Sequence, residues 1–141
     1  MNLAPIIAKL QDACPQFNLI GGAAEFERAS NGLTALPAAF VLPARERGTD
    51  SPFANQIVEQ NVGAEFSIVV AVKNVSDATG AAAVDELEAV RTPVRDALLG
   101  WAPADGYFGC EFRSGDLLAF NNGVLWWGDV FSTAYLIRSI S

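Results

Sequence analysis

A chain of 141 residues that is 51% hydrophobic and 18% charged has the composition of one core-forming domain, expected to span residues 1–141, and is neither a disordered tail nor a linker. Nine basic against 16 acidic residues, net −7, exclude a protein whose job is to grip nucleic acid, because neutralising phosphates needs clustered Lys and Arg. No apolar run reaches the roughly 18 uncharged residues of a membrane span, and residues 1–10 lack a basic start followed by an apolar stretch and a cleavage site, so no membrane role and a cytoplasmic start are expected.

The first element is an amphipathic helix. Leu3, Ile6, Ile7, Leu10 and Cys14 recur at helical spacing, Pro5 suits the first turn and Pro15 ends the segment. Residues 17–20 read as a short extended piece leading into Gly21-Gly22, and residues 23–28 as one or two helical turns. Residues 38–42, between Pro37 and Pro43, form a buried strand candidate. Residues 44–55 contain Arg45, Glu46, Arg47, Gly48, Thr49, Asp50, Ser51 and Pro52, which predicts a long loop.

Residues 56–73 place Val58, Val62, Phe66, Ile68, Val70 and Val72 on even positions, with Glu59, Asn61, Glu65 and Ser67 on odd ones, the pattern of a long half-buried strand with a bend expected at Gly63. Ser76 and Asp77 supply helix-start residues. Ala83, Leu87, Val90, Val94 and Leu98 then form one stripe of a helix ending at Gly100, with Pro93 inside it, where a kink is expected. Residues 109–113, 117–120 and 124–137 read as strands, the last two joined as a hairpin through Asn121-Asn122-Gly123. Together these elements predict an α+β fold: two layers, a mostly antiparallel β-sheet, two main helices on one face, and long protruding hairpin strands.

The last strand is apolar and aromatic on both faces. Taken alternately, Val124, Trp126, Val130, Ala134 and Leu136 share one face and Leu125, Trp127, Phe131, Tyr135 and Ile137 the other, with Asp129 the one charge among them. Helices on one side of a small sheet bury a single face, so the second is expected to meet another subunit. In that expectation Trp126 points toward the helices, and Trp127, Phe131 and Tyr135 toward the neighbour. Length points the same way: at about 3.3 Å per residue, residues 56–73 would run ~55 Å and residues 124–137 ~43 Å, against a diameter of about 37 Å for a compact domain of this size. Bending at Gly63 and Gly128 is the monomeric alternative.

Chemistry is largely excluded. The chain has no histidine, which rules out Ser-His-Asp and Cys-His arrangements and histidine-ligated metal. Glu25 with Glu27 and Glu86 with Glu88 stand two apart on helices and cannot converge on a substrate. Gly21-Gly22 lacks the later glycines and the Lys-Ser/Thr of a nucleotide loop. Glu88 with Arg91 and Thr92 with Asp96 read as ordinary helix-surface neighbours. Cys14 and Cys110 read as two buried thiols. Trp101 and Tyr107 could form a stacking platform, though a tryptophan just past a helix end more often seats the helix on the sheet. No catalytic residue, cofactor or metal is expected, and the protein is read as no enzyme.

Whole stretches match a known family. Ala4-Pro5-Ile6-Ile7-Ala8-Lys9-Leu10, Gly21-Gly22-Ala23-Ala24-Glu25-Phe26 and Pro37-Ala38-Ala39-Phe40-Val41 look like the first half of the small tail terminator proteins of tailed bacteriophages. In the second half, Ala83-Val84-Asp85-Glu86-Leu87-Glu88-Ala89-Val90-Arg91, Leu98-Leu99-Gly100-Trp101 and Gly123-Val124-Leu125-Trp126-Trp127-Gly128-Asp129 are similar to stretches typical of that family. The resemblance covers nearly the whole chain and rests on overall pattern, without a catalytic signature.

The resemblance implies a homo-oligomer, a hexameric ring on the finished tail tube that stops polymerisation and offers a surface to the neck proteins of the head. Its implied partners are the tail tube protein and the head-neck connector protein, and its implied location is the virion tail, after assembly in the bacterial host cytoplasm. Six copies at −7 apiece would carry −42, suited to a passage through which DNA slides without binding. The interface candidates from this sequence are Arg45, Arg47, Asp50, Trp127, Asp129, Phe131 and Tyr135. The alternatives are another ring protein of the phage neck or tail, a carboxylate-based enzyme with two converging acids, or a monomeric binding module with Trp101, Tyr107 and Trp126 in one pocket.

Overall fold

A computed structural model describes residues 1–29, 31–32, 35–53, 56–73 and 81–140. The elements in chain order are α1 (Ala4–Ala13), β1 (Leu19–Gly21), α2 (Ala23–Ala29), β2 (Ala38–Gly48), β3 (Ile57–Lys73), α3 (Ala81–Leu98), β4 (Glu111–Asn121) and β5 (Val124–Ile140). The strands form one sheet in the order β1-β2-β3-β5-β4. β1 runs parallel to β2 and every other pairing is antiparallel, so the fold is α+β.

The sheet has an inner face beneath α1 and α3 and an outer face beneath α2. On the inner face Ile6 and Leu10 of α1 and Ala83, Leu87, Val90, Val94 and Leu98 of α3 pack on Phe66, Ile68, Val70 and Val72 of β3 and on Leu125 and Phe131 of β5. The helical stripe read from the sequence is therefore the buried one, and each of its larger side chains contributes roughly 1.5–3 kcal/mol by leaving water. Odd residues of β3 point the other way. Val69 and Ala71 join Phe40, Ala38, Val124 and Ala29 in a second core, against which Phe26 and Trp126 pack.

Several local expectations correspond to the structure. Pro5 lies in the first turn of α1, and the Cys14 N–H donates to the Leu10 carbonyl at its end. Of the extended piece expected at residues 17–20, residues 19 and 20 lie in β1, which runs on to Gly21. Asn122 and Gly123 both take positive φ, 50° and 74°, the geometry of a two-residue turn that matches strand twist. Cys14 and Cys110 are free and buried. The expected helix start at Ser76 and Asp77 lies outside the described residues.

Other expectations are corrected. Residues 44–48, read as loop, continue β2: Arg45, Glu46, Arg47 and Gly48 pair with Glu65, Ala64, Gly63 and Val62. Their polarity reflects exposure on both faces, which removes the alternation that announces a strand. Residues 109–113 and 117–120, read as two strands, are not separate: residues 111–121 form one strand, β4, whose register shifts between Phe112 and Ser114 and between Leu117 and Ala119. The β3–β5 ladder runs through Gly63 and Gly128 from Ile57↔Ile140 to Lys73↔Val124 without a register shift.

Candidate assembly surface

The faces of β5 are the reverse of those expected. Odd residues, including Trp127, Asp129 and Phe131, lie on the inner face with α1 and α3, while Trp126 lies on the outer face against α2. Period two tells which residues share a face; it cannot tell which face the helices take when both are apolar. Trp126 meets Phe26 edge-on at 5.9 Å and stacks on Phe40 at 6.2 Å, so a short helix covers its face, while the face that was assigned to a neighbour lies under α1 and α3.

Asp129 is buried at 1% exposure and cannot meet another subunit. Arg91 Nε donates to its Oδ2 at 2.9 Å and Nη2 to its Oδ1 at 2.8 Å, and the Trp127 indole N–H donates to Oδ1 at 2.9 Å. The Arg91 guanidinium lies 4.7 Å from the Trp127 ring centre and also donates to Glu88 at 2.6 Å. The Asp129 hydrogen bonds push the Arg91 pKa further up, against the opposing effect of burial. This is a satisfied structural ion pair. Arg91, read from sequence as a surface neighbour of Glu88, is 7% exposed; its main partner stands 38 residues away, beyond any local spacing rule.

Phe131 is fully buried between Phe66 and Phe112 and is likewise withdrawn from the interface candidates. Tyr135 is half-buried. Its ring meets Tyr107 at 4.8 Å and its hydroxyl donates to Glu46 at 3.0 Å. Burial and that hydrogen bond raise the Tyr135 pKa, while a bond from the Met1 amine holds Glu46 below the usual carboxylate range. Trp101 packs against the inner core, so it seats α3 on the sheet, and Trp101, Tyr107 and Trp126 do not share a pocket. Arg45, Arg47 and Asp50 are exposed.

Two surfaces stand open. The first is the arm made by the far ends of β2, β3 and β5. The inner core reaches Phe66 and Phe131; beyond it Val58 is 41%, Leu136 53% and Ile137 44% exposed, on opposite faces of strands that carry no helix. The second is the free edge of β4, where Phe112, Leu117, Leu118 and Phe120 are all exposed, an apolar edge of the kind that monomeric proteins avoid. The adjacent Leu117-Leu118 pair was the available sequence signal, since neighbours in a strand cannot both be buried by one layer.

Neither surface is a reaction site. An apolar cleft of 380 Å³ between α2 and the β4–β5 turn, lined by Phe26, Val69, Leu118, Val124 and Trp126 among others, holds no titratable side chain. Among the described residues no group of His, Cys, Asp or Glu could hold a metal ion, and no helix is long and apolar enough to cross a membrane.

The sequence was compared with known proteins. A family model described as phage tail terminator protein matches residues 1–141. No curated protein matches. Among solved structures, a chain from a structure titled "Virion of native gene transfer agent (GTA) particle" is similar with a TM-score of 0.50 at 17% identity, over 95% of this chain and 86% of that one, a likeness of fold. With the family model matching over the whole length, the chain belongs to the phage tail terminator family and is a structural, non-enzymatic component of the virion tail.

Proposed function

We propose that this protein assembles into a closed ring of identical subunits, six by family resemblance, that caps the tail tube, ends its polymerisation and presents a joining surface to the neck of the head. The observation that carries the ring is the arm: strands that outrun their own helical cover and expose Val58, Leu136 and Ile137 on two faces gain stability when a neighbouring copy covers them. The apolar β4 edge supplies a second surface of the same kind, for a further copy or the tube protein. A net charge of −7 per copy suits a lumen through which DNA passes unbound. Assembly takes place in the host cytoplasm.

The test is the mass of the purified protein across concentrations, with electron microscopy for rings. Concentration-dependent oligomers converging on one closed number support the reading, and a strict monomer at high concentration that is also missing from purified virions overturns it. In a phage lacking a working copy, tails should run past their proper length or fail to join heads.

A further inference from the structure

The arm carries charge as well as apolar surface, and four of the nine basic residues stand on its outer face. On the outer face of the sheet, Arg45, Arg47 and Arg113 line a 450 Å³ depression whose floor includes Gly63, Ser132 and Ala134. Glu65 also lines it. Arg113 is engaged, donating to Ser132 Oγ at 2.7 Å and lying 3.9 Å from Glu111. Arg45 and Arg47 have no ion-pair partner among the described residues. Arg138, paired in register with Glu59, extends the same face toward the tip. In a chain of net charge −7, these four arginines stand among Glu59, Glu65 and Glu111 on the same face, a small local excess of positive charge in which Arg47 has no acid in register with it.

The complementary surface lies on the opposite side of the molecule. Along α3 the exposed positions Asp85, Ala89, Thr92 and Asp96 are spaced four, three and four apart, which places them in one outward stripe. Asp85 and Asp96 have no ion-pair partner among the described residues, and between them stand the small Ala89 and Thr92, whose hydroxyl accepts from Arg95 at 3.4 Å. The acids are separated by about 17 Å along the helix, and the arginine rows of the arm, from the level of Ser132 to Arg138, span about 20 Å.

We infer that Arg45 and Arg47 on the outer face of the arm receive Asp85 and Asp96 of α3 from a second copy of this chain. The inference rests on the ring reading and specifies its contact. Because α3 lies over the inner face and the arginines stand on the outer face, no copy can bring its own α3 aspartates onto its own Arg45 and Arg47. With the two patches on opposite sides of the molecule, the contact is heterologous: each subunit offers its arm to one neighbour and its helix to the other, an arrangement that makes a ring where the rotation closes. Like-charge repulsion between the acidic bodies is relieved where arm meets helix, and the pairing fixes which neighbour lies on which side.

A charge swap in the full-length protein tests this. R45E/R47E should raise the concentration for half-assembly about tenfold, and D85R/D96R should do the same. The four substitutions combined in one chain should restore assembly to within about threefold of wild type, and wild-type assembly should weaken as salt screens the contact. Thermal melts of all variants at low concentration check that the exposed substitutions leave the monomer folded. If the wild type never assembles, the ring reading itself falls. If the wild type assembles but the arginine variant matches it, or the combined variant is no better than either pair, the arm-to-helix contact is wrong. Retention of wild-type protein on duplex DNA that disappears in R45E/R47E would assign the arginines to phosphates instead and overturn the inference.

Discussion

Arg91 on α3 and Asp129 on β5 meet through two parallel hydrogen bonds of 2.9 and 2.8 Å beneath the helical layer, with the Trp127 ring beneath the guanidinium. The pair locks the helix to the sheet at one register. Breaking it from one side leaves a buried charge without a partner, which costs more than the pair itself contributes. Asp129→Ala should therefore destabilise the monomer by roughly 3–5 kcal/mol in urea unfolding, while an Arg91→Met, Asp129→Leu double variant should recover most of that loss. Equal damage from the single and the double variant would show that charge pairing is not the reason.

The two tryptophans should both matter to the monomer. Trp127→Ala removes the indole donor to Asp129 and the ring that Arg91 covers, and should cost roughly 3–5 kcal/mol. Trp126→Ala opens the smaller core under α2 and should cost about 2–3 kcal/mol. Denaturant midpoints of the two variants decide this; a Trp127 variant as stable as wild type but unable to assemble would return that residue to the subunit interface.

Gly115 faces Asp129 and Trp127 across the β4–β5 ladder. A Cβ placed there would stand 2.6 Å from Asp129 Oδ1 and 3.1 Å from the Trp127 ring, too close without displacing the ion pair. Gly115→Ala should cost roughly 1–3 kcal/mol and shift Trp127 fluorescence. An unchanged emission spectrum and midpoint would mean that β4 can move aside freely.

Burial pushes the Cys110 thiol from 9.0 up to about 11. A folded-state pKa above the unfolded one means that the stability linked to this group is fully present below about pH 9 and is lost as pH rises through 11. Native protein at pH 8 should react slowly with thiol reagents at both Cys110 and Cys14, whose pKa burial also raises. The alkaline loss linked to Cys110 should be on the order of 2–3 kcal/mol, so the loss in Cys110→Ala should be smaller than in wild type by that amount, the remainder coming from Cys14 and Tyr135, measured as the pH dependence of the urea midpoint.

The β4 edge gives a prediction of the opposite kind. Leu117→Lys and Phe120→Lys replace side chains that are 50% and 55% exposed, so the monomer should change by no more than about 0.5 kcal/mol, whereas assembly or attachment to the tube should weaken. Light scattering with added tube protein reads the second effect; full assembly and full tube capping by both variants would remove this edge from the interface.

What the sequence disclosed depended on how each segment is covered. The α3 stripe, the even-position alternation of β3 and the Asn122-Gly123 turn are local patterns, and each stands where its pattern placed it. Residues 44–48 gave no strand signal because both faces of that part of β2 meet water. Two bulges broke the period of β4. Helix assignment to the faces of β5 depended on α2, seven residues long, whose Phe26 and Ala29 cover Trp126 and whose contribution to burial no periodicity reveals. Of the interface candidates, Arg45, Arg47 and Asp50 are exposed and open to a partner, while Asp129 and Phe131 were misjudged because a lone acid and an aromatic on an apolar strand look alike whether they face a core or a neighbour.

The β3–β5 ladder joins residues 57–73 to residues 124–140, with α3 and β4 carried in the chain between them. Closing so long a loop is entropically costly and is repaid only once the helical core brings β5 against β3. Pairing can then zip outward from Lys73↔Val124 toward Ile57↔Ile140, so the tip of the arm is the last part to be completed. A chain that is still misfolded or truncated by a few C-terminal residues has no finished arm to offer. In the proposed ring, competence to join other subunits would thus come only with the last pairs of this ladder, after the core has formed.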